Sequence, residues 1–247
     1  MTADYLCALL STLHFRPLIS LGVHGISPNE CKNTWRVISQ QQALLPDQDQ
    51  HEQPTHVSAF SSIHTLELFD LLPSSEMKQA YPTGADSSGR KKERKGGGED
   101  TFQSFLAGLS SLGVVRMRRV GIEFLKAFGQ VSPPMPSESF GEPFPVPAPA
   151  LGCFEMSCIV DGEEGDLVPE NFRYVGTALL GVLHARRTAA RPVGRLHLDE
   201  DEWSMRKESR KELVAGLELL EKTGHMPLVH WDARAAFFND YYDSVEI

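Results

Sequence analysis

The chain has 247 residues, 41% of them hydrophobic, and a formal net charge of −9. It is too apolar for a wholly disordered chain, and its four scattered cysteines are too few for a disulfide-stapled secreted fold. The negative charge argues against general nucleic-acid binding, and no stretch approaches the roughly 18 uninterrupted apolar residues of a membrane span. We therefore expect a cytoplasmic or nuclear protein that binds no membrane.

The N-terminal region, residues 1–72, gives the weakest structural signals. Glycines and prolines between 22 and 29 indicate a loop, and a Gln-rich polar stretch at 40–56 has no apolar face to bury. Apolar residues recur at helical spacing over 57–72. We expect a weakly ordered region with a helix at its end.

Residues 73–100 are predicted to be a flexible basic linker, because Ser, Gly and charged residues dominate and no periodicity survives. Four cations in this linker are candidates for a nuclear localisation signal, since an import receptor binds accessible lysines in an extended chain. They are Lys91, Lys92, Arg94 and Lys95. The alternative interpretation is a charged loop that only adds solubility.

Residues 101–130 are predicted to form an ordered block of helix and short strand. Apolar spacing favours helices at 101–112 and 122–128, whereas 114–120 alternates apolar residues with arginines and favours a strand. The following segment, 131–150, is rich in proline and predicts an extended, semi-rigid spacer.

The remaining residues, 151–247, predict a helical C-terminal domain that packs with the 101–130 block. It opens with a short strand at 152–160, and a helix follows over 169–190. The sequence shows no internal repeat.

The clearest helix signal lies at 199–223. Asp199 predicts an N-cap, and the acidic residues after it face the positive end of the helix dipole. Leu213 and Leu217 fall on the apolar stripe of this helix, and Gly224 predicts its end.

A second helix is predicted over 228–244, where large apolar residues recur at helical spacing from Trp231 onwards. A stripe of this kind either packs in a core or binds a protein partner. The candidate partner-binding residues on the two helices are Trp231, Ala235, Phe238, Tyr242, Leu213 and Leu217.

Motifs for nucleotide, cofactor or zinc-protease sites are missing from the sequence, so we predict no catalytic residue, no metal ligand and no cofactor. Two HxD triplets could nevertheless supply metal ligands: His197-Leu-Asp199 and His230-Trp-Asp232. A non-haem iron oxygenase takes two of its three ligands from such a triplet. Asp199 fits better as a helix cap, and the sequence does not predict the β-barrel that holds such a site.

Together these elements predict a mainly α fold with one or two short strands, a helical C-terminal half and a loosely structured N-terminal third. The expected function is a non-enzymatic interaction or adaptor protein that binds a protein partner through its C-terminal helices. Two alternatives stay open. One is a small enzyme, a metal-dependent oxygenase or hydrolase, whose site assembles from residues distant in sequence. The other is an incomplete fragment of a larger fold.

Overall fold

A computed structural model describes residues 18–27, 30, 33–36, 62–72, 101–130, 146–159, 172–205, 207–224 and 226–233. Its centre is one sheet of six parallel strands that lie side by side in chain order. The strands are β1 (Ser20–His24), β2 (Thr65–Leu71), β3 (Val114–Val120), β4 (Cys153–Ser157), β5 (Arg195–Asp199) and β6 (Leu228–Asp232). The helices are α1 (Thr101–Ala107), α2 (Ile122–Ala127), α3 (Phe172–Thr188), α4 (Glu200–Ser204) and α5 (Lys207–Lys222), with a further helical stretch at 33–36.

The prediction of a mainly α fold with one or two short strands is therefore wrong, and the fold is of the α/β type. Most of the N-terminal third lies outside the described residues, so its predicted loose structure stays a prediction. The helix expected over 57–72 contains β2, and the one expected over 228–244 begins as β6. Short apolar runs do not distinguish a strand from a helix by periodicity alone. Around β2 the buried residues Ile63 and Leu66, and again Leu68 and Leu71, are three positions apart, and these intervals imitate a helical pattern.

Several other predicted elements are confirmed. The strands expected at 114–120 and 152–160 are β3 and β4, and the helix expected over 169–190 contains α3. Asp199 caps α4, because its Oδ1 accepts a hydrogen bond of 3.0 Å from the Glu202 N–H. The helix predicted over 199–223 is divided into α4 and α5.

A nine-residue pattern recurs along the sheet, contrary to the expectation of no repeat. Its first, fourth and sixth positions are apolar in every unit, and so is the ninth in the units of β1 to β4. The units begin at Leu18, Ile63, Leu112, Leu151, Val193 and Met226. The spacing of the apolar residues is similar to the L-x-x-L-x-L pattern of leucine-rich repeats, but the units here are about 33 to 49 residues long and those of leucine-rich repeats are roughly 20–29.

Strands β1 to β4 also end in the same backbone conformation. Gly25, Asp70, Arg119 and Cys158 all have a left-handed φ, between 50° and 60°. The residues immediately before them, His24, Phe69, Arg118 and Ser157, lie opposite one another in the strand register. The four left-handed residues therefore occupy equivalent positions in the four strands. Because each turn interrupts the alternation of the strand, the next residue in the chain, such as Leu71, returns to the core.

The helices pack on one face of the sheet. A single continuous core joins strand residues to Phe105 of α1, Leu179 of α3 and Leu213 of α5. Trp35 belongs to the same core, since its ring stacks on that of Phe105 with centroids 4.8 Å apart.

The predicted linker at 73–100 and most of the predicted spacer at 131–150 lie outside the described residues. The end of the spacer, 146–150, is described, and its Ala148 belongs to the core. The predicted domain boundaries therefore stay predictions. Within the described residues, parts of 1–72 contribute strands to the same sheet as 101–130 and 151–247.

One buried charge fixes the segment that precedes β4. Arg186 of α3 is fully buried and donates hydrogen bonds to the carbonyl oxygens of Phe128 (3.3 Å), Pro147 (2.8 Å) and Ala148 (2.8 Å). Burial lowers the pKa of Arg186 to about 10, so the guanidinium still carries its proton at neutral pH. The three carbonyls replace much of the hydration that this cation loses.

Gly25→Ala is expected to lower the free energy of unfolding by about 1 kcal/mol. A Cβ at this position meets nothing within 4 Å, but the φ of +59° is one that L side chains rarely adopt. Gly181→Ala in α3 is the matched control, because its Cβ also enters open space while the helical backbone favours Ala by up to about 1 kcal/mol. Urea denaturation followed by circular dichroism measures both variants. Effects of the same sign would contradict the left-handed turn at the end of β1.

Candidate functional site

The face of the sheet opposite the core carries mostly polar side chains, and we call it the polar face. Side chains alternate between the two faces along each strand, so the residues between the core positions point to this side. In its middle row each residue lies opposite the next on the neighbouring strand. This row consists of Gly22, Glu67, Arg116, Glu155, His197 and His230.

Arg116 lies at the centre of the row between two carboxylates. Its Nη1 donates to Glu67 Oε1 at 3.1 Å, and its Nε donates to Glu155 Oε2 at 2.8 Å. The three side chains are between 24% and 30% exposed, so the charges are fixed in position while they still face solvent. Burial lowers the pKa of Arg116, but the hydrogen bonds and charges of Glu67 and Glu155 outweigh burial, and the net pKa is raised.

His197 is oriented by its neighbours on β6. Its Nδ1 is hydrogen-bonded to Asp232 Oδ2 at 2.7 Å, and its ring stacks on that of His230 with centroids 4.6 Å apart. The two HxD triplets therefore lie side by side, because Asp199 is also opposite Asp232 in the register. A carboxylate on Nδ1 fixes the orientation of the ring.

A buried network lies at the carboxyl ends of β4 and β5. Ser157 Oγ donates to Asp199 Oδ2 at 2.7 Å, and the Cys158 N–H donates to Glu202 Oε2 at 2.6 Å. Asp199 and Glu202 are at most 2% exposed. Backbone and hydroxyl donors thus compensate both carboxylates, in the way that a buried polar group requires.

Three residues of this network are potential metal ligands that the described part of the chain brings together. The ligand atoms of Cys158, Asp199 and Glu202 lie within 4.8 Å of one another. Their hydrogen bonds give each carboxylate a structural task, since Asp199 caps α4 and Glu202 anchors the backbone after β4. We assign this cluster to the structure of the strand ends.

At the carboxyl ends of β1 to β3 the described part of the polar face has only a small cavity. This cavity, lined by His24, Phe69 and Arg118 among others, has a volume of about 10 Å³. That volume holds about one water molecule, whereas pockets for small molecules usually enclose roughly 300–1,000 Å³.

The sequence-predicted partner residues are not brought together on one surface. Leu213 and Leu217 are buried in the core, and Trp231 lies on β6 on the helix side of the sheet. The others lie outside the described residues, as do the four cations of the proposed nuclear signal; these are Ala235, Phe238, Tyr242, Lys91, Lys92, Arg94 and Lys95. Their roles stay predictions.

The charged middle row of the polar face was missed in the sequence. The available signal was a single polar residue between two apolar ones, as in Leu66-Glu67-Leu68 and Leu196-His197-Leu198. Each triplet is too short to be distinctive by itself. Its meaning becomes clear only when the strands are aligned in register.

Comparisons with protein-family models, curated proteins and solved structures give no match for this chain. Among the described residues, no helix combines the length and the apolar character that a membrane crossing requires.

Arg116→Met is expected to lower the free energy of unfolding by about 1 kcal/mol, because it leaves the carboxylates of Glu67 and Glu155 on either side of position 116 without the arginine between them. Adding Glu155→Gln should recover part of this loss, since the repulsion between the two carboxylates is then removed. Arg195→Met is the control, because Arg195 is an exposed arginine on the same face. Urea denaturation of the single and double variants measures the interaction free energy between Arg116 and Glu155. Additive effects of Arg116→Met and Glu155→Gln would contradict the interaction.

Proposed function

We propose that this protein is a non-enzymatic protein-binding module with a leucine-rich-repeat-like architecture, and that its polar face binds a protein partner. The observation that carries the proposal is the one-sided sheet. Six parallel strands lie in chain order, the core lies on one face, and fixed polar side chains cover the other. Repeat proteins of this kind use such a face as an extended, concave binding surface.

The side chains of the middle row favour a protein partner. Glu67, Arg116 and Glu155 are held by ion pairs at about a quarter to a third exposure, so little side-chain entropy is lost when a partner orders them further. Alternating charges along a row discriminate between partners, because a partner that places a like charge against any of them loses binding free energy. The absence of a substrate-sized volume in the cavity at His24 and Arg118 fits a surface interaction.

The proposed surface differs from the one expected from the sequence. Leu213 and Leu217 attach α5 to the core, which leaves them no exposed area for a partner. The polar face instead draws its residues from six strands that are distant in the sequence. A protein-binding role therefore stays our proposal, but with the sheet as the contact surface.

A second candidate function is acid–base catalysis, because one specific contact favours it. The hydrogen bond between His197 and Asp232 has the geometry by which a carboxylate prepares an imidazole as a general base. Hydrolysis of a panel of activated esters and phosphate esters tests this role. Activity that His197→Gln and Asp232→Asn both remove, and that Arg195→Met preserves, would favour the enzyme.

Thr65→Arg tests the partner-binding function. Thr65 lies half-buried on the polar face at the start of β2, where an arginine would project into the proposed interface. Thr188→Arg is the matched control, since Thr188 is exposed at the end of α3. A photo-reactive amino acid in place of Glu155 first identifies the partner by cross-linking, and titration then measures its affinity. We expect Thr65→Arg to weaken binding by about tenfold or more and Thr188→Arg to leave it unchanged.

The proposal fails if the same partner is cross-linked equally well from Tyr174, an exposed residue of α3 on the helix side of the sheet. It also fails if Thr65→Arg and Thr188→Arg bind the partner with equal affinity. Circular dichroism of both variants excludes unfolding as the cause of a loss.

A further inference from the structure

We propose a second interaction site on the outer side of α5, where a basic groove binds an extended acidic segment of a protein partner. The groove has a volume of about 490 Å³ and is lined by Ser204 at the end of α4 and by residues of α5 that lie away from the core. Its principal lining residues are Lys207, Arg210, Lys211, Val214, Ala215 and Glu218.

Helix geometry explains why these side chains share one surface. Lys207, Lys211, Val214 and Glu218 follow one another at spacings of four, three and four residues, which places them along one stripe of the helix. The buried side of α5 is formed by Leu213 and Leu217, so the groove stripe faces solvent. The groove therefore lies on the helix side of the sheet and is separate from the polar face.

The charge of the groove is opposite to that of the whole chain. Three cations line it against one carboxylate, Glu218, while the chain carries a net charge of −9. A local basic surface on an acidic protein attracts a segment of negative charge and leaves most of the remaining surface repulsive to it. Charge complementarity thus defines the partner as an acidic one.

The cations are available for such a partner. Lys207 makes no ion pair with any residue that the structure describes, and Lys211 pairs with Glu208 at 2.8 Å on a surface where both side chains are more than 70% exposed. An exposed pair of this kind contributes only a few tenths of a kcal/mol, so a partner's carboxylate exchanges with it at little cost.

Arg210 gives the groove a fixed end. Its guanidinium carbon lies 4.3 Å from the centre of the Trp231 ring, and its Nη2 lies 3.8 Å from Glu200 Oε1. The cation–π contact with Trp231 restrains the position of the guanidinium, which suits two-point recognition of a carboxylate.

The apolar part of the lining favours a peptide over a nucleic acid. Val214 is 37% exposed and Ala215 is exposed next to it, so small aliphatic side chains of a peptide find an apolar contact between the cations. Single-stranded nucleic acids bind through aromatic side chains on which bases stack, and the Trp231 ring is already covered by Arg210. The occupant we infer is a segment in which acidic and aliphatic residues alternate.

Fluorescence anisotropy with a labelled peptide of alternating Glu and Val residues tests the site on the full chain. The same peptide with Gln in place of Glu is the uncharged control. We expect the Glu peptide to bind about tenfold more tightly than the Gln peptide. The double variant Lys207→Glu/Lys211→Glu should lose about tenfold or more in affinity for it.

Arg191→Glu/Lys222→Glu is the matched variant, because it changes the net charge equally at two exposed positions outside the groove. Binding that falls equally in the two double variants would overturn the proposal, since net charge alone would then explain it. A single-stranded DNA that binds as tightly as the Glu peptide and competes with it would also overturn it. The chain could also self-associate in a way that Lys207→Glu/Lys211→Glu abolishes and Arg191→Glu/Lys222→Glu does not. That result would overturn the proposal, because the groove would then bind a second copy of this chain.

Trp231 provides a separate readout. A carboxylate bound at Arg210 changes the contact between the guanidinium and the indole, so the Glu peptide should alter the tryptophan fluorescence. Trp231→Phe should remove this change while retaining most of the peptide binding. An unchanged fluorescence response in Trp231→Phe would place the peptide elsewhere. Thr65→Arg on the polar face should leave peptide binding intact, which keeps this test independent of the proposed function.

Discussion

Parallel pairing of the six strands in chain order is the constraint on which the rest of this structure depends. Each strand must return across the sheet before the next begins, and such crossovers have one preferred hand, so the helices collect on the same face. The continuous core that joins β1–β5 to α1–α5 follows from this arrangement. The second face receives no helix from the described part of the chain and is left to polar side chains, although most all-parallel sheets are covered on both faces.

On the polar face, ionisable side chains of adjacent strands are paired with one another. Ionisable side chains in adjacent strands lie close together, and unpaired charges there would oppose folding. The register places Arg116 between Glu67 and Glu155, and it places His197 against Asp232. These five side chains are thereby paired within the sheet and remain partly exposed, which gives a rigid surface for recognition. The left-handed residue at the carboxyl end of each of β1–β4 then returns the chain to the core beneath the helices.

The sequence predicts part of this fold and little of the site. Long amphipathic segments such as α3, the Asp199 cap and the alternating strand β3 carry local signals, and all three are confirmed. β5 was missed because Asp199 both ends the strand and caps the next helix, so its strand residues precede the stronger helix signal. The polar face was beyond local analysis, because its contacts join residues about 35 to 50 positions apart and depend on register.

Cross-linking of neighbouring strands with dibromobimane, which becomes fluorescent when it joins two nearby thiols, tests this arrangement most directly. Val114 lies opposite Cys153 on the polar face, whereas Val115 points into the core. In a chain whose other cysteines are replaced by Ser, Val114→Cys should cross-link to Cys153 and Val115→Cys should not. Alkaline pH is required, because burial and, to a smaller extent, the charge of Glu155 raise the pKa of the Cys153 thiol despite the nearby arginines. Cross-linking of Val115→Cys alone, or of neither variant, would contradict the parallel register and the exposed polar face.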